Sequence, residues 1–246
     1  MEIIDAPSPN FDQRPAGRAP DMLILHYTGM PTGEEALARM RDSAAKVSAH
    51  YMVGEDGKVW RLVDEAARAW HAGVAYWQGE TDINGCSIGI ELVNPGHECG
   101  YRPFPDAQIE ALIALIEGIR TRHPIPDRRI LGHSDVAPGR KQDPGELFPW
   151  QRLAEAGIGL WPERLDDAVS SDDPTALQKD LAVLGYGLEV TGSLDAATGE
   201  VVTAFQRHWR QARIDGRADP QTRAVLKAVL KAAQSDGSSA RNSSLV

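Results

Sequence analysis

A chain of 246 residues is long enough for a full-sized hydrophobic core and for a second, smaller unit beside it. Its 26 basic residues against 35 acidic ones leave a net charge of −9, so the surface as a whole repels polyanions and nucleic acid is not an expected partner. The first residues show neither a basic nor an apolar leader segment, and no apolar run approaches membrane-spanning length, which gives the expectation of a cytoplasmic protein without a membrane span.

Residues 1–21 are polar and interrupted by Pro7, Pro9, Pro15 and Pro20, so they read as an extended arm on the surface. Met22-Leu23-Ile24-Leu25-His26-Tyr27, closed by Thr28-Gly29 and Pro31, reads as a buried strand that delivers His26 at its C-terminal end. A helix follows over 33–42, then two strands over 48–53 and 58–63, whose Glu55-Asp56-Gly57 link is a hairpin signal. Trp70-His71-Ala72-Gly73 opens a long irregular stretch through Tyr76, Trp77 and Asn84, and aromatic and polar residues on so long a loop suggest a substrate rim. In the strand over 86–94, Ile88, Ile90 and Leu92 share one face; Glu91 points the other way, beside a glycine that leaves room. A helix runs over 105–123, because Ile109, Leu112, Ile113, Ile116 and Ile119 recur at helical spacing before Pro124 stops it, and residues 129–131 form a last short strand. Cys86 and Cys99 are too few for a disulfide scaffold and suit free thiols as well as one optional pair.

Strands alternating with helices, plus one hairpin, predict an α/β fold, a mixed central sheet flanked by helices, over 22–156. Periodicity fades over 157–172, where Gly157, Gly159, Pro162, Ser170 and Ser171 gather, and this stretch reads as a linker. Residues 173–233 then read as a small three-helix domain, with Leu177, Leu181 and Leu184, then Val201, Val202, Phe205 and Trp209, then Val225, Leu226, Val229 and Leu230 on the apolar faces. A unit of that size has a marginal core, and residues 234–246 read as a disordered tail.

The segment Gly132-His133-Ser134-Asp135-Val136-Ala137-Pro138-Gly139-Arg140-Lys141-Gln142-Asp143-Pro144-Gly145 cannot be one continuous helix, so His133 and Asp143 converge only through loop geometry. Zinc in a hydrolase takes three protein ligands and leaves a fourth position for water; His26, His133 and Asp143 could hold it, Glu91 could accept a proton and Lys141 could stabilise an oxyanion. Each residue also has a plainer reading: His26 as a hydrogen-bonded strand end, Asp143 and Asp135 as turn caps, Glu91 as an ion-paired carboxylate, Lys141 as a surface charge. His50, His97, His123 and His208 read as structural, and His71 as either a substrate contact or a cap on its own loop. Spacing alone supports no more than a metal hydrolase of unspecified kind.

Leu25-His26-Tyr27-Thr28, Ser48-Ala49-His50-Tyr51, Trp70-His71-Ala72-Gly73, Asn84 to Asn94 and the 132–145 loop occur in the order seen in zinc N-acetylmuramoyl-L-alanine amidases of the type-2 amidase family, and the chain resembles that family over nearly all of 22–156. The resemblance implies zinc held by His26, His133 and Asp143, acid/base catalysis by Glu91, transition-state stabilisation by Lys141, and sugar or peptide contacts at His71, Asn84, Tyr76 and Trp77. An aspartate rather than a cysteine at 143 is similar to the bacterial branch that cleaves anhydromuropeptides or cell-wall fragments, and Ala49 stands where phage members carry an assisting tyrosine. Ala176-Leu177-Gln178, Leu184-Gly185-Tyr186, Thr191-Gly192-Ser193-Leu194-Asp195 and Ala204-Phe205-Gln206 resemble a three-helix peptidoglycan-binding domain, with Asp219 before Pro220 departing from the usual Gly-x-x-Thr turn. The implied partners are peptidoglycan or muropeptide fragments, and a wall-binding module makes the periplasm or cell envelope the alternative location. A non-catalytic peptidoglycan receptor on the same fold is the rival reading; it has no need of three ligands together with Glu91 and Lys141.

Overall fold

The computed structural model of the chain describes residues 2–162 and 172–243, the side chains of 237–243 excepted. In chain order the first part contains β1 (Ile3–Asp5), β2 (Phe11–Gln13), β3 (Met22–Tyr27), α1 (Gly33–Arg41), β4 (Tyr51–Val53), β5 (Val59–Arg61), β6 (Ala67–Ala69), α2 (Ile83–Cys86), β7 (Ser87–Leu92), α3 (Gly96–Cys99), α4 (Asp106–Arg120), β8 (Ile130–Gly132), α5 (His133–Val136) and α6 (Trp150–Glu155). The second contains α7 (Pro174–Leu184), α8 (Ala196–Trp209) and α9 (Pro220–Ser243). Local chemistry sets the helix starts: Thr32, Asp173 and Asp195 accept backbone N–H groups of the first turns of α1, α7 and α8.

Six strands form a mixed sheet in the order β1-β5-β4-β7-β3-β8, with β4 and β5 antiparallel and the other neighbours parallel. This is the expected α/β architecture, and the Asp-Gly hairpin is present. The pleat divides the side chains of β3 and β7 between two layers. Leu23, Leu25, Ile88, Ile90 and Leu92 pack under the apolar stripe of α4, formed by Ile109, Leu112, Leu115, Ile116 and Ile119. Met22 and Ile24 face the opposite way, and His26 and Glu91, one strand apart in direct register, continue that second face at the C-terminal ends of β3 and β7.

Two expectations need correction and one is sharpened. The N-terminal arm is extended on the surface, as expected, and is paired as well: β1 extends the sheet beside β5, β2 pairs with β6, and buried Asn10 donates to the carbonyls of Met40, Asp42 and Val47. Strands of three residues are too short to show an alternating pattern, and the prolines masked them. The helical module does not stand apart, since Leu177, Leu181, Leu184, Val202, Phe205 and Leu226 share one buried cluster with Met22, Ile24, Trp77, Ile83, Leu131 and Val136. Finally, α9 continues to Ser243 through residues read as a tail: no proline interrupts 221–243, and Asp236 accepts the backbone N–H of Arg128, tying the helix extension to the sheet domain. Of the expected linker, 163–171 lies outside the described residues, whereas Ile158 is buried and Gly159 donates to Asp127. Both cysteines are free, Cys86 buried and Cys99 exposed. Among the described residues no helix is long and apolar enough to cross a membrane.

Candidate metal centre and catalytic site

The carboxyl ends of parallel strands are where an open α/β sheet leaves a crevice, and here β3 lies between β7 and β8 so that three strand ends meet. His26 comes from the end of β3, Glu91 from β7, and His133 from the turn that follows β8; Asp143 returns from the loop beyond, held by the Ser134 N–H donating to its carbonyl at 2.9 Å. Together with Lys141, His71 and His97 they line a polar cavity of about 380 Å³.

Hydrogen-bond partners fix which nitrogens carry protons. The Ile83 carbonyl can only accept, so Ser87 donates its hydroxyl proton there and accepts from His71 Nε2–H at 3.2 Å. Burial, reinforced by the neighbouring imidazoles, lowers the His71 pKa well below its ordinary value and keeps the ring neutral, so its Nδ1 is bare and accepts from His26 Nε2–H at 3.0 Å. His26 is likewise held down, to about 4, by burial and by His133, with Asp143 opposing, and its Nδ1 is therefore also bare. His133 Nε2–H donates to the Ala72 carbonyl at 3.0 Å, which turns its Nδ1 toward the cluster.

His26 Nδ1 and His133 Nδ1 stand 3.0 Å apart, and Asp143 Oδ2 lies 3.0 Å from the first and 2.9 Å from the second. Burial alone would raise the Asp143 pKa, but His133 and His26 outweigh it and the carboxyl is held far below the usual range. The three ligand atoms point at one another with little room between them, and a cation placed among them would take over the neutralisation that the imidazoles give the carboxylate. Two imidazoles and one carboxylate, with carbonyl and imidazole partners behind the rings, are the donor set of a catalytic zinc. The residues present fit the ion.

Glu91 is partly buried as a residue, yet its Oε2 is shut off from solvent and has no hydrogen-bond partner among the described residues. Burial and then the charge of Asp143 push its pKa well above the carboxylate range, with Lys141 pulling the other way. Glu91 also lines the cavity beside the His26, His133 and Asp143 cluster, and a carboxyl there with one oxygen unpartnered is placed to exchange a proton with water.

The sequence of an N-acetylmuramoyl-L-alanine amidase family matches residues 16–146, and that of a peptidoglycan binding domain matches 170–226. The chain is 38% identical over 230 residues to the N-acetylmuramoyl-L-alanine amidase AmiD of Escherichia coli, covering 85% of this chain and 82% of that protein. The chain belongs to this amidase family. It is also 37% identical to the 1,6-anhydro-N-acetylmuramyl-L-alanine amidase AmpD of Enterobacter cloacae, over 61% of this chain and 89% of that one. The solved complex of AmiD from E. coli with anhydro-N-acetylmuramic acid-L-Ala-D-gamma-Glu-L-Lys superposes with a TM-score of 0.78 at 36% identity, covering 89% of this chain and 92% of that one.

Of the remaining expected site residues of the amidase, His71 lies behind His26 as its hydrogen-bond acceptor, packed against Gly89. Asn84 is buried and its Oδ1 accepts the N–H groups of His71 and Ala72, so it shapes the loop that carries His71. Trp77, expected at the substrate rim, is 1% exposed and packed edge-to-face on Tyr186 in the core shared with the C-terminal module, which leaves it no surface to offer. Tyr76 is 38% exposed and opens onto a groove beside Gly187 and Leu188, away from the metal cluster. Residues that sequence reasoning missed are Arg140, which lines the cavity and donates to the Ala72 and Val74 carbonyls, and His97, which lines it while bonding Tyr27 and Glu146. Arg140 lies within the loop singled out from sequence, but an arginine that binds backbone carbonyls has no spacing signature.

Proposed function

We infer that the protein is a zinc amidase that hydrolyses the bond between the lactyl carbonyl of N-acetylmuramic acid, or of its 1,6-anhydro form, and the L-alanine that begins the stem peptide, in cell-wall turnover or recycling. The observation that carries this reading is the convergence of His26 Nδ1, His133 Nδ1 and Asp143 Oδ2 within 3.0 Å of one another, one strand from an unpartnered Glu91. Those three atoms would hold the ion, which when bound acidifies water and polarises a carbonyl oxygen. Glu91 accepts the proton of the attacking water and returns it to the departing amine nitrogen, which could not leave as an anion. Lys141, on the wall of the same cavity, offers positive charge to the oxygen that becomes anionic as the carbonyl turns tetrahedral. The substrate assignment is supported by the family match and by the anhydromuropeptide bound in the AmiD complex. The C-terminal module, matched to a peptidoglycan binding domain, would keep wall fragments beside the cavity.

The test is mass spectrometry of products from an anhydro-N-acetylmuramyl peptide and from sacculi, before and after chelation and zinc return. The expected products are a free stem peptide and the sugar acid, formed with about one zinc per chain and lost on chelation. Binding without cleavage by zinc-loaded protein, or undiminished cleavage after chelation, would overturn the reading.

A further inference from the structure

Asp135 is fully buried two residues after the ligand His133, and an ionised carboxylate taken out of water costs several kcal/mol unless donors replace its solvation. Three donors do so. The Gly132 N–H donates to Oδ2 at 2.8 Å from within the same turn, His208 Nδ1–H donates to Oδ2 at 2.7 Å, and the Tyr186 hydroxyl donates to Oδ1 at 2.9 Å. The last two belong to the C-terminal module, His208 on α8 and Tyr186 just after α7.

Neither donor has freedom to serve elsewhere. The His208 ring is stacked between Trp150 and Trp209 with centroids 3.7 and 3.6 Å away, and its Nε2 is buried without a partner among the described residues, which assigns its proton to Nδ1. Burial and the Asp135 charge hold the Tyr186 hydroxyl protonated, so it can only donate to the carboxylate. The same helix α8 presses on the loop farther along: Glu200 sits so close to Gly139 that a Cβ there would meet its Oε2 at 2.2 Å.

We propose that the C-terminal module is a positioning element of the metal site: Tyr186 and His208 fix Asp135, and the one-turn helix α5 together with the Ser134-to-Asp143 backbone bond passes that constraint to His133 and Asp143. This rests on His26, His133 and Asp143 being the zinc ligands. A module matched to wall binding thereby also sets the affinity of the amidase for its metal, and Asp135 has a role beyond shaping its own turn.

The experiment uses the full chain with Tyr186→Phe, His208→Leu, His208→Asn and, as a control in the shared core that keeps every side chain bonded to Asp135, Leu181→Ala. Zinc affinity is measured by competition with a chromophoric chelator, kcat and KM on an anhydromuropeptide, and Tm by calorimetry. Tyr186→Phe and His208→Leu should each weaken zinc binding about ten-fold and lower kcat with KM unchanged. His208→Asn, whose amide nitrogen stands where Nδ1 stood, should recover most of the zinc affinity lost in His208→Leu although both lack the stacked ring. Leu181→Ala should lower Tm and leave zinc affinity alone. Wild-type zinc affinity in both Tyr186→Phe and His208→Leu, or an equal loss in Leu181→Ala, overturns the proposal; a wild-type protein that binds no zinc in the same titration overturns the metal reading itself.

Discussion

Gly89 offers a sharp test of how the metal ligands are held, because the space a side chain would need is occupied by His71. A Cβ built at residue 89 lies 2.4 Å from His71 Cγ and 2.6 Å from its Cδ2 and Nδ1. Carbon atoms settle at about 3.5 Å or more, so in a Gly89→Ala protein the imidazole must retreat by roughly 1 Å. The backbone itself is unstrained by the change, since Gly89 is not among the positive-φ glycines. His71 holds His26 Nε2 at 3.0 Å and Ser87 Oγ at 3.2 Å, and a shift of about 1 Å takes such bonds out of hydrogen-bonding geometry. His26 then loses the acceptor that orients its Nδ1 toward the ion. Loss of such a partner costs about 10- to 100-fold in metal affinity, or about 1.4 to 2.7 kcal/mol. Chelator competition on the purified variant measures it, with Tm recorded beside it. The double mutant separates orientation from misfolding: once His71→Ala has removed the ring, Gly89→Ala should add little. Equal losses from Gly89→Ala in the wild-type and His71→Ala backgrounds, or a Gly89→Ala protein with native zinc affinity and turnover, would refute the reasoning.

Glu91→Gln keeps the shape of the side chain and removes its ability to take a proton, so it should retain zinc and fold while turnover falls about 10²- to 10⁴-fold; an active Glu91→Gln enzyme removes Glu91 from the mechanism. Glu65 makes a stability prediction. Burial alone would raise its pKa, but Arg122, Tyr51 and His123 outweigh it and bring the value to about 2. A folded value below the unfolded one means the contribution is present above pH 4.5 and is lost as pH falls toward 2, a window set by those two numbers. After allowance for solvent screening it amounts to on the order of 1 to 2 kcal/mol. Denaturant melts at stepped pH should show a flatter acid limb in Glu65→Gln, and identical limbs would sink the assignment.

The strand alternation that set Ile88, Ile90 and Leu92 against Glu91 was legible because a period of two survives any tertiary context in which one face is apolar. The same logic carried His26 to the end of β3. What pattern could not supply was identity of role: His26, His133 and Asp143 are scattered over 117 positions, and only resemblance joined them before the fold brought them within 3.0 Å. His71 was ambiguous for a physical reason, since a histidine that orients a ligand and one that touches substrate occupy the same loop with the same neighbours in sequence. Trp77 misled because an aromatic residue in a long polar loop reads as exposed unless the partner that covers it, here Tyr186 and Gly185 from the far end of the chain, is known.

That hidden partner changes what the C-terminal module does. Its apolar faces, built on Leu177, Leu181 and Leu184, look alike in sequence whether they meet only each other or a sheet. In this chain they meet Met22, Ile24, Ile83, Leu131 and Val136, the layer of the sheet that continues into His26 and Glu91. Each such side chain is worth about 1.5 to 3 kcal/mol when kept from water, so the module covers a face the amidase domain cannot leave open. AmpD of Enterobacter cloacae aligns with only 61% of this chain at 89% of its own length, so a relative of this family manages with far less chain; here the same face has been committed to an interface. A tethered module raises local concentration while leaving orientation free, whereas one packed on the sheet and bonded to Asp135 presents whatever it binds in a single orientation to the cavity. On the proposed reading, a substitution in α8 that disturbs His208 is therefore felt at His133 as well as within the module.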